Sequence, residues 1–168
     1  MTNAFLDNLD TAIAVFTVIL VLSNLVIFRR LSTCGIASIG FAVVQSLSVL
    51  VTPPIRDSLS VFSPQLSLVV FYLTFAFVNL SAIVIIYRMH NALSISIGIS
   101  SSFVVRSLQL LALLQVARYL DRKFEFELLA TVYKYSVPSI NIAVVGALTY
   151  FTIRNFIKSR NMAGIKGI

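Results

Sequence analysis

The sequence predicts an all-α protein: a polytopic bundle of five transmembrane helices in one integral membrane domain spanning residues 1–168. Three observations predict it. The chain is 58% hydrophobic and only 11% charged, with a mean hydropathy of +0.96, far from the balance of soluble domains. Its apolar runs reach the roughly 20 residues needed to cross about 30 Å of hydrocarbon. Those runs are unbroken, whereas barrel strands alternate over segments of about ten residues.

The first span is Thr11–Phe28, 18 uncharged residues between Asp10 and Arg29. The second is Thr33–Thr52, ending at Pro53-Pro54 because proline breaks a helix and disfavours helical geometry before it. The third, Leu66–Tyr87, follows Pro64. The fourth is Ala92–Ala117 and carries Arg106; the fifth is Leu128–Ile153 and carries Lys134. The residues before Thr11 are acidic, so they lack the basic region that opens a cleavable secretory signal.

Loop charges predict the orientation. With the N-terminus outside and the C-terminus inside, Arg29, Arg30, Arg88, Arg154, Lys158, Arg160 and Lys166 all fall inside, with no acidic residue. The outer segments then hold Arg56, Arg118, Arg122 and Lys123 together with all six acidic residues. Seven basic residues against four obey the positive-inside rule. The net charge of +7 is therefore topological, and no nucleic-acid partner is expected. The expected home is a bacterial inner membrane, with an organelle membrane as the alternative.

A weak repeat runs through the chain. Val43–Leu50 and Val104–Leu111 share five of eight residues at an offset of 61. The third and fifth spans pair Tyr72 with Lys134 and Asn79 with Asn141, and Thr17 and Asn24 show the same spacing of seven in the first. Seven residues are about two helical turns, so each pair shares a face. Counted from the outer span borders, Asn24, Asn79 and Asn141 are expected at a common depth. The duplicated unit would be a two-helix hairpin, an internal symmetry some transporters show; chance matching among so few residue types is the alternative.

The polar residues inside the spans are the functional candidates. Arg106 and Lys134 are cations inside apolar segments, where a charge costs a few kcal/mol or more, and no acidic residue is expected at membrane depth to neutralise them. Arg106 shares a predicted face with Ser94, Gly98, Ser102 and Gln109. Small residues four apart allow close helix packing, so Ser94, Gly98 and Ser102 are expected to bury this face against protein. Lys134 either faces inward, with Pro138 freeing a backbone carbonyl beside it, or snorkels to the interface. Gln45, Gln109, Asn24, Asn79, Asn141 and Tyr72 complete the candidates for a pore or a ligand or partner contact; interhelical hydrogen bonding is the plainer account of the asparagines.

Chemistry beyond this is sparse. His90, the sole histidine, is expected in a solvated loop, and Cys34 as a small buried thiol. Gly35, Gly40, Gly98 and Gly146 read as helix-packing positions. With no metal cluster, nucleotide loop or acid–base pair, no enzyme activity, cofactor or metal is expected. Two functions follow: a non-enzymatic subunit that oligomerises and lines a polar, anion-tolerant channel or transport path, or an assembly subunit whose cations dock to acidic residues of a partner chain. The expected partners are the lipid bilayer and either copies of the chain or another membrane subunit.

Overall fold

The computed structural model describes residues 3–28, 31–58 and 63–165. Its described residues form five helices: α1 Asn3–Phe28, α2 Thr33–Ser58, α3 Pro64–Ala92, α4 Ile99–Lys123 and α5 Ala130–Ile165. All five are long and apolar enough to cross a membrane. Arg29, Arg30 and Lys166, three of the charges that predict orientation, lie outside the described residues.

α2 is the centre of the bundle and packs against each of the other four helices, which follow one another around it. Its first half explains why. Cys34, Ile36, Ala37, Ser38, Phe41 and Ala42 are all buried, and most are small enough for neighbouring backbones to approach closely. Gly40 is the tightest contact: a Cβ there would lie 2.4 Å from Cγ1 of Ile86 on α3. The glycine expectation holds only in part, since Gly146 on α5 is exposed with nothing within 4 Å of the same construction.

Polar bonds pin the same end of the bundle. Ser101 Oγ on α4 donates to Thr33 O on α2 at 2.8 Å, and Gly98 N donates to Thr33 Oγ1 at 3.1 Å. His90 is not a solvated loop residue. It sits in the last turn of α3, 1% exposed, with Nδ1 2.9 Å from Ile95 O and Nε2 2.8 Å from Ser101 Oγ. A carbonyl only accepts, so Nδ1 carries a proton. α3 thus extends past Tyr87, and the segment 93–98 folds under it.

Several boundaries differ from expectation for related reasons. α4 begins at Ile99 rather than Ala92, because Ser94 adopts positive φ (51°) and Gly98 is the extended N-cap. α2 continues through Pro53 and Pro54 to Ser58; the prolines only remove donors from the carbonyls of Val49 and Leu50, and Thr52 Oγ1 bonds back to Ser48 O at 2.6 Å. α1 begins before Thr11 and so carries Asp10 into the bundle.

The α4–α5 connection is held by Asp121. Its carboxylate pairs with Arg118, both buried, and accepts from Leu128 N at 2.9 Å and Leu129 N at 3.2 Å. Glu125 and Glu127 turn the chain there at φ 58° and 52°. Two charges withdrawn from water are tolerable because each oxygen has a donor.

Candidate functional site

The end of the bundle carrying the segment 93–98 is closely packed and narrow, with Cys34, Ile36, Ala37 and Ser38 fully buried there; the opposite, wide end holds a cavity. α3 and α5 make no backbone approach, and a gap remains between them beside the second half of α2. The result is a cavity of about 480 Å³, within the usual range of roughly 300–1,000 Å³ for small-molecule sites. Every helix contributes. Gln45, Ser48 and Thr52 come from α2, Phe71, Phe75 and Asn79 from α3, Gln115 from α4, and Tyr133, Lys134, Pro138 and Asn141 from α5, with Asp10 from α1.

Four of the candidate residues therefore meet: Lys134, Gln45, Asn79 and Asn141. Tyr72 is buried just behind them, with its ring edge-on to Tyr133 at 5.8 Å. Lys134 itself is exposed, its ammonium 5.9 Å from the Tyr135 ring centre. It lies about one turn into α5. Since helical side chains lean toward the N-terminus, it leans toward the mouth.

Asn79 and Asn141 are 5% and 6% exposed, and their Oδ1 atoms have no protein hydrogen-bond partner. Asn79 is held in one orientation because its Nδ2 donates to Phe75 O at 2.8 Å. Turning the amide over would set two oxygens against each other. Asn141 sits three residues past Pro138, whose missing N–H leaves the carbonyl of Lys134 without its helical donor.

The remaining candidates lie elsewhere. Asn24 does not share the depth of Asn141. Its Nδ2 donates to Thr152 Oγ1 at 3.0 Å, so it is level with a residue eleven positions, about 16 Å, further along α5. The early start of α1 is the reason: Asp10 does not mark a span border. By the same register Asp10 falls beside Pro138, which puts an acidic residue in the cavity wall with Lys134. The expectation that the chain offers no acid at that depth fails for this cation.

Arg106 and Gln109 point away from the cavity. Both are exposed, while α4 buries Ser101, Val104, Val105, Leu108, Leu111, Ala112, Gln115 and Arg118. The expected residues do not form one helical face, because Ser94 and Gly98 precede the helix and only half-buried Ser102 belongs to it; Gly98 nevertheless packs closely on α2, where a Cβ would lie 2.8 Å from Thr33 Cγ2. Arg106 lies seven residues, about 10 Å, from the start of α4, and its side chain leans toward that end.

The residues missed from sequence are Asp10, Gln115 and Tyr133, whose hydroxyl donates to Gln115 Oε1 at 2.7 Å. Gln115 carried a signal: it continues the three-and-four spacing of Ser101, Val104, Leu108 and Leu111. Below the cavity a buried polar seam continues toward the narrow end through Thr17, Asn24, Cys34, Ser38 and Thr152. Cys34 is the expected buried thiol, 3.6 Å from Thr152 Oγ1. Among the described residues no three His, Cys, Asp or Glu side chains group as a metal site. No family model, curated protein or solved structure matches the chain.

Proposed function

We propose that the chain is a non-enzymatic membrane protein whose cavity admits a small polar solute and forms the outer half of a transport path. The observation that carries this reading is the convergence of Lys134, Gln45, Asn79 and Asn141 on one cavity of about 480 Å³ inside helices of membrane-crossing length. Polar side chains in such a place are costly unless used. Lys134 at the mouth makes the entrance tolerant of anionic groups, as basic side chains do in anion-conducting pores. The seam from Thr17 to Thr152 supplies the route's inner half, closed in this conformation.

The reading takes the wide end as the outer face, with the N-terminus outside and the C-terminus inside, following the excess of basic residues near the narrow end. A bacterial inner membrane fits that bias. Asn79 and Asn141, which correspond in the proposed hairpin repeat, both face the cavity, an arrangement repeat-built transporters use at their binding sites.

Flux of small ions and solutes into liposomes tests the proposal. Lys134→Ala should alter rate or selectivity, and Arg106→Ala should leave both unchanged. Absence of flux in the wild-type protein, or equal effects of the two variants, defeats it.

A second reading is favoured by Arg106 itself. An exposed guanidinium and Gln109 beside exposed Phe103, Leu110 and Leu113 suit a contact with another membrane chain. There the protein would be an assembly subunit whose cation docks to a partner's acid. A stoichiometric foreign chain in gently solubilised particles supports that reading; a homo-oligomer supports the first.

A further inference from the structure

We infer that the solute taken by the cavity bears hydroxyl or ammonium donors at its deep end, and that Asn79 Oδ1, with Asn141, selects it. The inference rests on the reading of the cavity as a solute site. It adds to the cationic entrance a floor of opposite demand, which excludes a simple anion as the best occupant.

Three buried asparagine oxygens, Oδ1 of Asn24, Asn79 and Asn141, have no protein partner; Asn24 lies in the seam below, and the other two belong to residues that line the cavity. Buried amide oxygens almost always find a donor, and Asn79 and Asn141 are each more than nine-tenths buried with Oδ1 unpartnered by protein. For Asn79 the polarity is fixed, because one N–H of its Nδ2 is committed to Phe75 O. Asn79 lines the cavity, and its buried acceptor cannot be exchanged for a donor by turning the amide over. Close by, Pro138 leaves the carbonyl of Lys134 without its helical N–H, and Asp10 adds a carboxylate to the wall. The aromatic faces of Phe71 and Phe75 can cover the apolar part of a solute and attract a cationic end.

At the mouth the demand reverses. Lys134 supplies only donors and so accepts a carboxylate or another anionic group. Lys134 and Asn141 are seven residues apart on α5, a separation of about 10 Å. A molecule of that order of length, anionic at one end and donor-bearing at the other, satisfies both ends at once. A site built to hydrogen-bond a solute rejects analogues lacking the group, because its polar atoms are then left unpaired.

Three six-carbon acids isolate the far end: hexanoate, 6-hydroxyhexanoate and 6-aminohexanoate. Binding is measured by calorimetry on the full chain in lipid nanodiscs, with empty nanodiscs as reference. The hydroxy acid, the amino acid or both should bind at least about tenfold more tightly than hexanoate, the worth of one buried hydrogen bond. Preference between them separates a hydroxyl-bearing from an ammonium-bearing solute. Asn79→Leu, similar in volume, should abolish the advantage, so that the three acids bind alike. Should that variant lose its fold by circular dichroism, Asn141→Leu carries the same expectation.

Equal binding of the three acids, preference for hexanoate, no binding of any, or an advantage that survives in the folded variants overturns the inference. Liposome flux in parallel keeps the two ideas separate. Anion flux without donor preference retains the transport reading and sinks the selective floor; donor-selective binding without flux does the reverse.

Discussion

The contact between Gly40 and Ile86 gives a stability prediction with a reversal of sign. In Gly40→Ala the new Cβ would meet Ile86 Cγ1 at 2.4 Å and Cδ1 at 2.7 Å, about 1 Å short of ordinary carbon contact at roughly 3.5–4.0 Å. Ile86 is fully buried, so it has no open space to move into and α2 and α3 must part. Overpacking of this kind costs about 1–3 kcal/mol. Alanine returns at most about 1 kcal/mol of helix propensity, and less where the unfolded state keeps its helices. The net expectation is a loss of about 0.5–2 kcal/mol. Ile86→Ala removes both clashing atoms and costs about 2–5 kcal/mol through the cavity it leaves. In that background the same Gly40→Ala change should become neutral or stabilising, because its methyl now occupies part of the void. Gly146→Ala is the control: with nothing within 4 Å it should stabilise slightly or do nothing. Reversible unfolding in mixed micelles by titration with sodium dodecyl sulfate, followed by circular dichroism, measures the three single variants and the double mutant. A Gly40→Ala penalty of the same size in both backgrounds would refute the reasoning.

Three further outcomes are expected. Asp121→Ala strands a buried Arg118 and two backbone donors; a loss of about 3–5 kcal/mol in the same titration is expected, and a loss under about 1 kcal/mol contradicts the account of the α4–α5 connection. At Glu125, with φ 58°, glycine should be neutral or up to about 1 kcal/mol stabilising, while valine should cost about 1–2 kcal/mol; the reverse order means the left-handed turn is absent. Because His90 is the sole histidine, ¹⁵N spectra of histidine-labelled protein report it alone. A proton on Nδ1 is expected, and a ring carrying its proton on Nε2 alone would remove the bond to Ile95 O.

Much of the architecture was legible, because 20-residue apolar runs have one structural outcome in a bilayer. The limits of the helices were less so. Pro53-Pro54 reads as a stop, yet near a helix end a proline pair loses only two bonds. The cavity was partly legible through the spacing of Lys134 and Asn141 and through their counterparts on α3. Arg106 was misplaced by extending its helix back to Ala92, so that residues of a connecting segment were counted as a helical face. His90 misled because Arg88 and Asn91 flank it as they would in a loop, while its partner Ser101 sits on another helix. No local pattern announces such a contact.

The position of α2 bears on the order in which the bundle is made. A chain that grows from its N-terminus delivers α1 and α2 long before α3, α4 and α5 exist. During that interval Gln45 and Thr33 have only α1 beside them, so their polar groups must find lipid headgroups, water or an insertion chaperone. The helix that finally sits in the middle is thus the one that gains most of its neighbours, α3, α4 and α5, after it is made. Substitutions along it should lower yield during biogenesis more than they weaken the finished protein.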